Sequence, residues 1–301
     1  MIKNLDELVG KAKSRGTRRL IVAYGQDSHT LEAVNDAIEA GIVEATVIGD
    51  KETIEKVCKE EGIDSSRLTI VHETVDVNCV RMAVQMISEG KGDVLMKGLV
   101  STDKYMRGIL NKEFGLVPPK GVLSHVSVFQ IPAYHKLLTV GDVAVIPYPD
   151  FAQKTAIAKY ILQTAKKLDI EVPKMACIAP SEQLLPNVQS STDACLIAKM
   201  GERGQLGCKV DIDGPLALDV AINKEAAATK KLNSPVAGDA DCLLFPNIDT
   251  GNVFFKACTK FGGAELAAMV VGAKVPCVLT SRGDSRKTKM YSIALACLSA
   301  K

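Results

Sequence analysis

Three observations predict an α/β protein built on mainly parallel sheets. Short apolar runs alternate along the chain with longer stretches of helical period. Most of the runs are continuously apolar, as strands buried on both faces of a parallel sheet are. Their alternation with helices is the pattern of βαβ units with right-handed crossovers.

The runs fall, in order, at residues 20–23, 45–48, 68–71, 94–96, 122–129, 143–146, 175–178, 242–245 and 275–279. Each is β-branched or aliphatic and is expected as a strand. Between them, Leu31, Val34 and Ile38 recur at helical spacing, and so do Ile157, Ile161, Ala165 and Leu168. Residues 284–298 also fit a helix, with Met290, Ile293, Ala294 and Cys297 on one face. Val117-Pro118-Pro119-Lys120 is the clearest break in composition and reads as a hinge between a first domain, 1–120, and a second, 121–269. Residues 270–301 can return to the first domain, a choice the residues themselves leave open.

The chain has 301 residues, enough for two domains and a sizeable core without disulfide or metal staples. Basic and acidic residues number 37 and 35, and the net charge is +2. That balance argues against a nucleic-acid or membrane-surface role while leaving room for a local cationic pocket. With no Trp and 4% aromatic residues, stacking platforms are not indicated. The nine cysteines form no C-x-x-C pair and mostly sit in apolar runs, so they read as buried free thiols of a cytoplasmic protein. The N-terminus has acids early and no apolar core, and no stretch reaches the roughly 18 apolar residues of a membrane span.

Three loops share one grammar: a buried strand, then Gly with small polar or cationic residues, then a helix. They are Lys97-Gly98 leading to Ser101-Thr102-Asp103, Phe245-Pro246-Asn247 leading to Thr250-Gly251-Asn252, and Thr280-Ser281-Arg282-Gly283-Asp284. Ligands of parallel sheets bind beyond the carboxyl ends of strands, and helix N-termini attract anions there. Thr250, Gly251 and Asn252 with Ser281, Arg282 and Gly283 thus resemble two halves of an oxyanion or phosphate pocket. Lys97, Arg107, Lys256 and Arg282 are its candidate charges, Arg282 foremost because guanidinium clamps phosphate bidentately. Each feature also has a plainer reading. Such loops are common turns, Lys104 and Arg107 can form a solvated face, and Asp284 can be a helix cap. His29 fits a helix start, His72 a strand end and His125 a satisfied core position.

Several chemistries are disfavoured. No G-x-G-x-x-G follows the first strand, and neither a G-x-x-x-x-G-K-[ST] loop nor a G-x-S-x-G elbow is present. Four scattered histidines and no cysteine cluster disfavour zinc, so no metal is expected.

The C-terminal third then becomes recognisable. Residues 240–252 with their Phe245-Pro246-Asn247-Ile248-Asp249-Thr250-Gly251-Asn252, then Lys256, Gly262-Gly263-Ala264-Glu265 and Thr280-Ser281-Arg282-Gly283, resemble the phosphate acetyl/butyryl transferase family. The likeness extends upstream to Asp213-Gly214-Pro215-Leu216 and to Lys97-Gly98-Leu99-Val100-Ser101-Thr102 with Arg107. Ser124-His125-Val126-Ser127-Val128-Phe129 and Tyr291-Ser292-Ile293-Ala294-Leu295-Ala296 look most like its phosphate butyryltransferase branch.

The resemblance implies reversible transfer of a short-chain acyl group, butyryl in that branch, between coenzyme A and inorganic phosphate. Coenzyme A is then a substrate, with no tightly bound cofactor. It implies the two-domain isocitrate/isopropylmalate dehydrogenase-like fold with an interdomain cleft, in which residues 270–301 rejoin the first domain. A homo-oligomer is implied, as is coupling to an acyl-phosphate (butyrate) kinase. Ser281, Arg282, Asp284 and Arg107 become the catalytic candidates. Lys97, Gly98, Ser101, Thr102, Ser124, His125, Thr250, Gly251, Asn252, Lys256 and Gly283 become the substrate-binding ones. One departure stands out. The acetyltransferase branch carries an Asp seven residues after its S-R-G serine, where this chain has Thr288, so Asp284 is the nearest substitute for a thiol base.

Rival readings are a phosphate acetyltransferase, a metal- and NAD-dependent hydroxyacid dehydrogenase, and a CoA-sensing module without turnover. The dehydrogenase would want a D-x-x-x-D pair, which is absent.

Overall fold

The computed structural model describes residues 1–280 and 283–301. The chain divides into two compact units, one formed by Leu5–Leu123 with Leu266–Lys301 and the other by Met1–Asn4 with Ser124–Glu265.

The first unit begins with α1 (Leu5–Ser14), β1 (Arg18–Ala23), α2 (Ser28–Glu39), β2 (Val43–Gly49), α3 (Lys51–Glu60) and β3 (Leu68–His72). It continues through α4 (Asp76–Ser88), β4 (Val94–Lys97) and α5 (Thr102–Leu110). Polar caps mark where its helices begin: Asp27 accepts from the Thr30 N–H and Asp50 from the Thr53 N–H, each closing an end that would otherwise leave donors unpaired.

The second unit holds β5 (Ser124–Gln130), β6 (Leu138–Gly141), α6 (Phe151–Lys167), β7 (Lys174–Ile178), α7 (Gln189–Glu202) and β8 (Asp211–Leu216). Then come α8 (Leu218–Ile222), α9 (Lys224–Lys230), β9 (Cys242–Leu244) and α10 (Ile248–Lys260). The chain returns to the first unit with β10 (Glu265–Val271), β11 (Cys277–Val278) and α11 (Arg286–Ser299).

Strands of the first unit lie in the order β3-β2-β1-β4-β11-β10. All neighbours are parallel except β10, which runs antiparallel to β11. The chain leaves β1 towards β2 on one side and later returns to β4 on the other, so β1 and β4 flank a topological switch point, where such sheets bind ligands. Helix α11 packs against α1 and α2, while α4 packs on α5 and on β1 and β2. In the second unit the order is β5-β6-β9-β7-β8, parallel except for the β5–β6 pair.

Two expectations about strands are corrected. Residues 143–146 form a bend instead of a strand, because the carboxylate of Asp142 gathers the N–H groups of Ala144, Val145 and Ile146 that a sheet would use. The strands β6, β8 and β10 were not expected. Six of the nine cysteines are buried and none is in a disulfide. Burial pushes the thiols of Cys79, Cys277 and Cys297 up to about 12, far from thiolate reactivity. No helix of the described residues is long and apolar enough to cross a membrane.

Candidate active site

Each unit gathers several of the singled-out residues at the ends of its strands. In the first unit, Gly98 follows β4 directly. A Cβ there would lie 2.3 Å from the Tyr24 carbonyl oxygen and 2.8 Å from the Gly25 Cα, so only glycine lets this loop lie against the one after β1. The Gly98 and Leu99 N–H groups donate to the Ala23 and Tyr24 carbonyls at 2.9 and 2.8 Å, sealing the two loops together. Lys97 is buried, and its Nζ donates to the Gly98 and Val100 carbonyls at 3.0 and 2.9 Å. Carbonyl dipoles thus face its charge and hold the loop in shape. Ser101 caps α5, its hydroxyl accepting from the Lys104 N–H, and Thr102 is the exposed first residue of that helix. Arg107 projects from α5 with its side chain 78% exposed and pairs with Asp103 one turn earlier, at 3.1 Å.

The strand β11 leads to Thr280, which is buried. Ser281 and Arg282, the two foremost catalytic candidates, lie outside the described residues. Gly283 is exposed and Asp284 half-buried, just ahead of α11. The reading of Asp284 as the helix cap is replaced: Ser285 is the N-cap, its hydroxyl accepting from the Thr288 N–H at 3.1 Å. Asp284 is therefore not used up in capping.

One residue here carried no motif. Lys289, on the first turn of α11, is 4% exposed and its Nζ donates to the Thr280 Oγ1 at 3.2 Å. Burial pushes its ammonium down while Asp27 and Asp284 pull it back up. The signal in the sequence is Arg286-Lys287-Thr288-Lys289, three cations where a helix start favours acids.

The second unit centres on Asp142, at 2% exposure, which no motif marked. Its Oδ1 accepts from the Ala144 and Val145 N–H groups, at 2.7 and 2.9 Å. Its Oδ2 accepts from the Ile146 N–H, the Ser124 hydroxyl and the His125 N–H, at 3.1, 3.0 and 3.3 Å. Ser124 and His125 are thereby placed in the interior as supports of this carboxylate. The His125 ring lies 3.4 Å from the Ser127 hydroxyl, as a satisfied core histidine would. The Asp142 backbone is met from the other side by Gly251, where a Cβ would lie 2.3 Å from its carbonyl oxygen.

Helix α10 starts beside this loop. Asn247 caps it, accepting from the N–H and the hydroxyl of Thr250 at 3.0 and 2.9 Å, and the Gly251 N–H donates to the Asn247 carbonyl. The expected role of Thr250 and Gly251 as backbone donors to phosphate meets this obstacle: both N–H groups already have acceptors. Asn252 donates through Nδ2 to the Val143 carbonyl at 3.1 Å. The exposed Tyr148 hydroxyl donates to Asp249 at 3.1 Å. Lys256, exposed, lies with its Nζ 5.5 Å from the centre of the Phe255 ring. Among the described residues, no group of three or more His, Cys, Asp or Glu side chains is arranged to hold a metal.

The sequence profile of phosphate acetyl/butaryl transferase matches residues 4–77 and 52–297. The chain belongs to that family. Phosphate butyryltransferase of Clostridium acetobutylicum is 43% identical over 301 residues, covering 100% of this chain and 99% of that protein. Phosphate acetyltransferase of Thermotoga maritima is 36% identical over 297 residues, covering 98% and 99%. The crystal structure of a branched-chain phosphotransacylase from Enterococcus faecalis superposes with a TM-score of 0.81 at 30% identity, covering 93% of this chain and 98% of the other. Membership makes this chain an acyltransferase.

Proposed function

We propose that this acyltransferase moves a short-chain acyl group, butyryl, reversibly between coenzyme A and inorganic phosphate, giving acyl phosphate and free CoA. The observation that carries the reading is the 43% identity, end to end, to a phosphate butyryltransferase, against 36% to a phosphate acetyltransferase. In the forward direction a phosphate oxygen attacks the thioester carbonyl carbon. The C–O bond forms as the C–S bond breaks, and CoA leaves as the thiolate.

Arg107 and Arg282 are assigned to the phosphoryl charge, and Ser281 to the reacting carbonyl or thiol. Holding phosphate beside the thioester supplies proximity, and cationic donors stabilise the tetrahedral transition state. Asp284, which precedes the Ser285 cap, is assigned to the CoA thiol proton in the reverse direction. Asp142, Ser124 and His125 take a supporting role, fixing the loop that meets α10. Lys97 and Gly98 shape the loop at the switch point of the first unit. Thr250, Gly251, Asn252 and Lys256 contribute side chains and surface instead of free backbone donors.

The same reading takes the two units as domains of an isocitrate/isopropylmalate dehydrogenase-like fold. It places the enzyme in the cytoplasm as a homo-oligomer that supplies a butyrate kinase. Coenzyme A is substrate, with no tightly held cofactor.

The test is thiol release from acetyl-, propionyl-, butyryl- and valeryl-CoA with phosphate, and with arsenate in parallel. Release that requires the oxyanion and is fastest with butyryl-CoA is expected. One or two methylenes are worth only about 1–3 kcal/mol, so a preference for acetyl-CoA would keep the chemistry and change the chain length. No release from folded protein that binds CoA would overturn the enzyme reading.

A further inference from the structure

The roles above leave Lys289 unused. Helix α11 opens with three cations and no acid in its first turn, where the aligned peptide dipoles already place positive charge. Two of the three are accounted for. Arg286 is clamped through two nitrogens by Asp36 and reaches Glu32 at 3.1 Å. The Lys287 Nζ lies 5.4 Å from the centre of the Tyr291 ring.

Lys289 differs from both because it is buried. Taking an ammonium out of water at the positive end of a helix costs free energy that an apolar side chain of similar length would not. What it gains is a set of specific partners. Its Nζ donates to the Thr280 Oγ1, a buried hydroxyl on the residue just before Ser281 and Arg282. Two carboxylates act on its charge, Asp27 from the start of α2 and Asp284 from the segment ahead of α11. Asp27 is itself unusual. Its Oδ1 caps α2 through the Thr30 N–H at 3.0 Å, while its Oδ2 is buried with no hydrogen-bond partner among the described residues. A buried carboxylate oxygen of this kind needs a nearby cation, and Lys289 is the cation whose charge it meets.

We propose that Lys289 is a positioning residue for the acyl transfer: its ammonium pins the hydroxyl of Thr280, the residue that precedes Ser281 and Arg282 in the sequence. The chemical consequence rests on the acyl-transfer reading, whereas the pinning of Thr280 does not. A loop fixed at its first residue needs less reordering when the transition state forms, so the effect belongs in kcat more than in KM.

The test compares wild-type protein with K289M, K289R, T280V and the double variant K289M/T280V. Phosphate-dependent thiol release from butyryl-CoA gives kcat and both KM values, and mass spectrometry follows amide hydrogen exchange over residues 278–285. K289M is expected to lower kcat about 30-fold while both KM values stay within about threefold, since misplacement costs turnover before binding. T280V is expected to lower kcat less, and the double variant to be no slower than K289M, the non-additivity of two groups acting as one. K289R is expected to recover part of the loss. Exchange over 278–285 is expected to rise about tenfold in K289M, as local opening becomes easier. Wild-type kcat and exchange in K289M, or losses that multiply in the double variant, would overturn the proposal. If K289M does not fold, K289R and T280V decide by the same measures. If wild-type protein releases no thiol at all, the acyl-transfer reading falls, and the exchange measurement alone decides whether Lys289 pins Thr280.

Discussion

The loop around Asp142 and the start of α11 solve opposite versions of one problem, a buried charge beside a strand end. Asp142 is surrounded by donors: three backbone N–H groups from its own loop, one from His125 and the Ser124 hydroxyl. Its partners are mostly backbone, so the carboxylate dictates the path of the chain. Lys289 donates to a side-chain hydroxyl, feels the charge of two carboxylates, and sits where the helix dipole opposes it. A charge met by many short hydrogen bonds is an anchor. A charge that holds the Thr280 side chain can instead act on turnover, through the residue that precedes Ser281 and Arg282 in the sequence. The comparison separates a group whose loss should be felt in stability from one whose loss should be felt in turnover.

The largest effect should come from the anchor. In D142A the part-buried N–H groups of Ala144, Val145 and Ile146 and the buried N–H of His125 lose their acceptor together. Each buried donor left unpaired costs about 1–3 kcal/mol before relaxation and water entry, so a total loss on the order of 3–5 kcal/mol is expected. D142N should also destabilise, because its amide NH2 would face N–H donors on one side. Urea denaturation of both variants checks this. Wild-type stability in D142N would remove Asp142 from its anchoring role and break the contrast with Lys289.

Next come the two glycines that let loops meet in each unit. A Cβ at Gly251 would lie 2.3 Å from the Asp142 carbonyl oxygen, and one at Gly98 would lie 2.3 Å from that of Tyr24. Backbone must shift in G251A and in G98A, at a cost of about 1–3 kcal/mol in each. Both should melt at lower temperature than wild type in a calorimetric scan. G251A should be the worse of the two if the Asp142 loop is the stiffer, since less of the strain can then relax.

These contacts mark what was legible in the sequence. Strands β1 to β4 were, because each holds a short β-branched or aliphatic run between helical stretches. The strand β8, Asp211–Leu216, was not: its DIDGPL sequence carries two acids, a glycine and a proline and shows no buried-strand pattern. The expected strand at 143–146 lay just beyond the real one, β6. Both runs are apolar, and only the Asp142 carboxylate between them decides which joins the sheet. Such a decision rests on hydrogen bonds to residues 18 positions away, like that from Ser124, and local pattern does not contain it. The site shows the same division. Gly98 stands out as a turn residue, and the structure uses it so. Lys289 reads as one more cation in a basic stretch, because burial is a tertiary fact.

A smaller effect tests whether a half-buried carboxylate can anchor as Asp142 does. Asp239 sits half-buried among Lys174, Lys136 and His135, at 2.6, 3.0 and 2.9 Å. Burial pushes its carboxyl up, but hydrogen bonds from these three groups outweigh burial and hold it well below the usual carboxylate range. A depressed folded-state pKa means that the unfolded chain binds the proton more readily. The stabilisation is therefore present above the unfolded value of about 4 and fades as the pH falls below it towards the folded value. After allowing for solvent screening, about 1 kcal/mol should be lost at neutral pH in D239N. The stability of D239N should also fall less steeply than that of wild type between about pH 5 and pH 2. Parallel acid profiles for the two proteins would deny Asp239 this role.

The smallest effect on stability belongs to Arg107, the exposed counterpart of Lys289. Among the described residues its guanidinium is paired across the solvent-facing side of α5 with Asp103, at 3.1 Å. Exposed pairs of this spacing contribute about 0.3–0.5 kcal/mol, so R107A should keep its melting temperature within a degree or two. Turnover is another matter. If Arg107 meets the phosphoryl group, R107A should lose at least about 100-fold in kcat/KM for phosphate, the loss expected when one preorganised charge is removed. The loss should also show in the phosphate KM, which K289M is expected to leave almost unchanged. A shared pattern in the two variants would mean that both cations act on the substrate directly, and Lys289 would then have to be reassigned from positioning to binding.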